Sequence, residues 1–141
     1  MADPAQNGLR NPGDYPFTRD GWIEAVTRRI VPGSVDLAWA QALDQNPTIS
    51  PEDKKMVLSG KDLVREPGAY QPGFHIEPRL RVTVMQGGWW YRGVTAVEPH
   101  PDGALVTNIV VNVAPGLGRW LAHFVQAREH RKRAAERAAA S

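Results

Sequence analysis

Apolar residues return along this chain at intervals that switch between two and three-to-four, and each switch marks a new element. Trp22 to Val31 (WIEAVTRRIV) is β-branched and aromatic with partial alternation, which predicts a strand whose two faces are both mixed. Pro32-Gly33 breaks it, and Ser34 caps a short helix over Val35 to Leu43 that carries Leu37, Ala38, Trp39 and Ala42. Asn46-Pro47 ends that helix. Ser50-Pro51-Glu52-Asp53 opens another, with serine at the cap and proline in the first turn, running to about Leu58 and stopping at Gly60. Residues 60 to 76 are punctuated by Pro67, Gly68, Pro72 and Gly73 and read as a long loop, with a short strand around Lys61 to Val64.

The next stretch alternates strictly. Arg79 to Met85 puts Leu80, Val82 and Val84 on one side and Arg79, Arg81 and Thr83 on the other. Gly87-Gly88 turns the chain into a strand over Trp89 to Glu98. Pro99 to Gly103 then forms a hairpin loop before a strand over Ala104 to Val113, whose core side is Leu105, Thr107, Ile109, Val111 and Val113. After the breakers Pro115, Gly116 and Gly118, no glycine or proline occurs from Arg119 to Ala140, and one long helix is expected. Leu117, Trp120, Leu121, Phe124 and Val125 share one face of it, so its first half must lie against something. From Arg128 the residues are good helix formers with little to bury, and that half runs into solvent.

Composition narrows the classes. A chain of 141 residues with 42% apolar and 23% charged residues fits one folded domain. The boundaries expected are an irregular arm over 1–20, the domain over 21–134 and a solvent-exposed helix end over 135–141. Without cysteine there are no disulfides, thiolate nucleophiles or zinc–thiolate sites. No signal segment and no apolar run near the ~20 residues of a membrane span is visible, so a soluble cytoplasmic protein is expected. The net charge of +2 comes from the end of the chain: Arg128, Arg131, Lys132, Arg133 and Arg137 against Glu129 and Glu136 give +3, leaving −1 for the rest. No aromatic residues interleave these cations, so no nucleic-acid partner is expected, and cations suit a helix C-terminus.

The order strand, two short helices, antiparallel strands, long terminal helix resembles the helix-grip superfamily, the START-like (SRPBCC) lipid carriers, polyketide cyclases and aromatases. The resemblance rests on Val26-Thr-Arg-Arg-Ile-Val-Pro-Gly-Ser-Val-Asp-Leu-Ala-Trp39, a strand turning directly into a helix. Its other half is Asn108-Ile-Val-Val-Asn-Val-Ala-Pro-Gly-Leu-Gly-Arg-Trp-Leu121, a last strand feeding the long helix. It covers about residues 21 to 134 and departs from the family between Gly60 and Pro78, where strands are few. It implies an α+β fold in which a curved antiparallel sheet wraps the C-terminal helix, with two short helices after the first strand. It also implies a cavity between sheet and helix that takes a small hydrophobic or aromatic molecule.

Leu80, Val82, Val84, Trp90, Arg92, Ile109, Val111, Trp120 and Phe124 are the expected lining. Arg92 is the sharpest polar candidate, because a buried guanidinium needs a carboxylate or a ligand anion. The alternative is a cyclase, aromatase or dehydratase working in the same cavity, with Arg92, Tyr91, His75 and Thr107 as the groups that would have to converge. A third possibility is an interaction module whose basic tail docks an acidic partner. His123 and His130 lie ~10 Å apart along a helix axis, too far to share a metal, so neither metal nor cofactor is expected. The sequence is compatible with a homodimer.

Overall fold

The computed structural model describes residues 10–46, 49–66, 73–87 and 90–115. They form a single 3-10 turn at Pro12–Asp14 and then β1 (Trp22–Val31), α1 (Val35–Asp44), α2 (Pro51–Leu58), β2 (Leu63–Arg65), β3 (Gly73–Glu77), β4 (Val82–Gly87), β5 (Tyr91–His100) and β6 (Gly103–Asn112). The class is α+β. The six strands make one open antiparallel sheet in the order β1-β6-β5-β4-β3-β2.

The two helices begin where serines allow. The Ser34 and Ser50 side chains accept from the backbone N–H groups of Leu37 and Asp53, satisfying donors that the first turn leaves open. Because β1 and β2 lie at opposite edges, α1 and α2 carry the chain across the whole sheet. Hairpins then bring it back strand by strand until β6 lies beside β1.

The register sorts side chains onto two faces. Arg28, Thr107, Ala96 and Val82 lie in one row, and Val26, Ile109, Val94, Val84 and His75 in the next row on the same side. This side packs on Tyr15 and is the arm face. On the other, the helix face, Ala38, Trp39, Leu43 and Val57 pack against Phe74, Ile76, Val97 and Val106. The sheet is therefore buried on both sides, which is why β6 (GALVTNIVVN) lacks a polar face. The expected core side of β6 is buried, but Ala104 and Val106 on the opposite side are buried as well.

Four expectations differ from what is observed. Residues 10–20, expected as a loose lead-in, are irregular yet packed, with Tyr15 only 2% exposed and Thr18 buried. The supposed loop of residues 60–76 contains the start of β3. The strict alternation from Arg79 does not make a strand until Val82, because residues 78–81 turn and Arg81 adopts a left-handed φ of 51°. Leu80 sits in that turn and is half exposed, so it does not line the sheet. The β5–β6 hairpin is also tighter than expected: β5 runs to His100, and only Pro101-Asp102 separate it from Gly103. The long helix expected over Arg119–Ala140, with Trp120 and Phe124, lies outside the described residues. Among the described residues, no helix is long and apolar enough to cross a membrane.

Candidate functional site

The arm face is where the predicted residues collect. Val82, Val84, Ile109 and Val111 point to it and are buried around Tyr15. Arg92 lies on the same face, two residues before Val94. Its side chain is 13% exposed, and its Nη1 donates to Asp20 Oδ1 at 2.6 Å and to the carbonyl of Phe17 at 3.1 Å. Its Nε donates to Gln86 Oε1 at 2.9 Å. The carboxylate that a buried guanidinium requires is thus supplied by the arm.

The arm reaches this position through an unusual residue. Phe17 has a φ of +65°, a left-handed conformation that costs a non-glycine residue roughly 1–2 kcal/mol. Two contacts hold it there: the Arg92 bond to its carbonyl, and an edge-on ring contact with His75 at 5.1 Å between centroids. Two clefts open on either side of Phe17 and Arg92. One, of about 380 Å³, is walled by Val64, Phe74, His75, Val84 and Gln86. The other, of about 440 Å³, is walled by Asp14, Tyr15, Pro16, Arg19 and Asp20. The first has the apolar and aromatic walls, with a few polar groups, that small-molecule sites favour. Arg65 borders it too, its guanidinium 4.8 Å above the Phe74 ring.

A second polar cluster lies deeper on the arm face. The Tyr15 hydroxyl donates to Glu98 Oε2 at 2.5 Å and lies 3.4 Å from Thr107 Oγ1. Arg10 closes it from outside, its Nε 3.3 Å from Glu98 Oε1 and its guanidinium 5.3 Å above the Tyr15 ring. Arg28 donates through Nη2 to the Arg10 carbonyl, while its buried Nε has no hydrogen-bond partner among the described residues. Burial, followed by the hydrogen bond to Glu98, pushes the Tyr15 phenol above its ordinary value of 10.0. This cluster fastens the arm to the sheet.

The four candidate catalytic groups do not converge. His75 and Arg92 border one cleft; Thr107 is sealed under Tyr15. Tyr91 falls on the helix face, its hydroxyl lying back over Gly93 so closely that an added Cβ there would meet it at 2.4 Å. Trp90 precedes β5 and contacts the Tyr91 ring edge-on at 5.5 Å. Among the described residues, no group of three or more His, Asp or Glu is placed to hold a metal ion. The chain matches no family model, no curated protein and no solved structure. Sequence reasoning missed Tyr15, Phe17 and Gln86. The one available signal was an aromatic pair, Tyr15 and Phe17, five and three residues before Asp20, in an arm otherwise built for turns.

Proposed function

We propose that the protein binds a small hydrophobic or aromatic molecule on the arm face, in a helix-grip arrangement whose amphipathic C-terminal helix closes the cavity. The observation that carries this reading is the 380 Å³ cleft in which Phe17, His75 and Val84 offer apolar walls beside the largely buried Arg92 guanidinium. The strand order also supports it. With β6 returned to the side of β1, the chain leaves the sheet after Asn112 next to the strand where it began, and a terminal helix can then lie across the sheet. Covering a few hundred Å² of ligand at ~25 cal/mol per Å² supports micromolar affinity once association costs are met. Carriage or sensing is favoured over catalysis because Tyr91 and Thr107 stand away from the cleft that His75 and Arg92 share.

Titration with the neutral dye N-phenyl-1-naphthylamine tests the reading. One saturable site per chain is expected, with a Kd on the order of micromolar. Phe17→Gly should weaken it roughly 10-fold, since a lost ring removes apolar contact worth about 1.4 kcal/mol or more. The same variant should keep or raise the melting temperature, because glycine accepts the left-handed backbone without strain. Fluorescence that rises linearly without saturating would contradict the reading.

A further inference from the structure

We propose that the ligand of this cleft carries an anionic head, a carboxylate or its chemical equivalent, and that Arg92 is the residue that selects it. The inference rests on the binding reading above and adds the chemical class of what is bound.

Three features of Arg92 point this way. First, its guanidinium is fixed before any ligand arrives, because Nε and Nη1 are already held by Gln86, Asp20 and the Phe17 carbonyl. A planar fork held this way loses little further freedom on binding. Second, no hydrogen bond among the described residues uses Nη2, although Arg92 borders both clefts beside Phe17. An oriented donor is therefore left over at the junction of the two spaces. Third, the cation is the sheltered member of the local charge set. Its side chain is 13% exposed, whereas that of its partner Asp20 is 60% exposed.

That last asymmetry decides the sign of the site. Counted alone, the charges around the two clefts balance, with Arg19, Arg65 and Arg92 against Asp14, Asp20 and Glu66. The exposed carboxylates of Asp14 and Glu66 are screened by water and contribute little at a distance, while Asp20, in contact with Arg92 but 60% exposed, offsets the largely buried guanidinium only in part. A ligand whose ring lies on Phe17 and His75 therefore meets a positive donor at the inner end and solvated acids at the rim. Asp20 acts as a stand-in anion that an incoming carboxylate joins or displaces.

Calorimetric titration of the full chain at pH 7.5 with 1-naphthoate and with 1-naphthamide, which differ in charge but hardly in shape, tests this. Naphthoate should bind at least about 10-fold tighter, the size of one charge-assisted hydrogen bond. Arg92→Gln should bring the two affinities together, chiefly by weakening naphthoate. Asp20→Asn, which removes the stand-in anion, should tighten naphthoate more than naphthamide, and it serves should Arg92→Gln fail to fold. Saturable binding of both probes with equal affinity would overturn the anion assignment and leave the binding reading standing. No saturable binding of either would overturn both.

Discussion

Tyr15→Ala is expected to destabilise the fold by about 3–5 kcal/mol and to abolish saturable dye binding under conditions where the remaining folded protein is still in excess. The stability part follows from removing a large buried ring, which leaves a cavity that the β-strands around it cannot collapse into. The binding part follows from what else the arm holds. The Tyr15 ring and its bond to Glu98 fasten the arm to the sheet, and the turn that carries Phe17 and Asp20 to Arg92 follows directly, tied to the Tyr15 backbone by Thr18 Oγ1 at 2.8 Å. Urea unfolding and the dye titration measure the two parts separately. Tyr15→Phe separates the ring from the hydroxyl: about 1–2 kcal/mol is lost, and the cleft is kept. It should also change the alkaline limb of stability. The raised phenol value means that the neutral form stabilises the fold fully below pH 10, and this stabilisation is lost as pH climbs through the higher folded value. Wild type should therefore lose stability above pH 10 more steeply than Tyr15→Phe.

Gly103→Ala should cost about 3 kcal/mol or more, for a reason unrelated to the core. Gly103 begins β6 with a φ of +141°, and a Cβ there would lie 2.2 Å from the Val31 carbonyl oxygen and 3.0 Å from Pro32 Cα. Both are backbone atoms, which cannot rotate away as a side chain could, so either the β5–β6 turn or the end of β1 must move. Moving it breaks the pairing of Val31 with Ala104, on which the α1 side of the sheet is built. Thermal unfolding checks this: a shift of only one or two degrees would mean the close approach is not the constraint described here.

These two positions also show what the sequence could and could not convey. Local rules worked where the chemistry is local. The capping serines, the prolines after them and the breakers at Pro32-Gly33 and Gly60 placed β1, α1 and α2 nearly to the residue. They failed where a distant partner decides. Tyr15 sits among Pro12, Gly13 and Pro16, which signal turns, and only Glu98 and Thr107, 83 and 92 residues away, make it a core residue. Arg79 to Met85 alternates like a strand from its first residue, but Arg81 gives its carbonyl to Val97 and its guanidinium to Asp36, and the backbone turns to allow both. β3 was hidden because Gly73-Phe-His-Ile-Glu follows Pro72 and is too short to show a period.

The candidate site was half legible in the same way. Alternation put Val82, Val84, Arg92, Ile109 and Val111 on one face, and they do share one. Periodicity has no means of saying that the two short helices would take the other face, or that the N-terminal arm would bring Phe17 over His75 and Asp20 to Arg92. Trp120 and Phe124, expected in the lining, lie outside the described residues.

The most direct test is to map the bound probe on the protein by amide chemical-shift changes in a 1-naphthoate titration. The account predicts saturating shifts clustered at Phe17, Val64, His75, Val84 and Arg92, with the helix-face row of Thr27, Asn108 and Thr95 unmoved. Saturating shifts centred instead on α1, α2 and the helix face would contradict it.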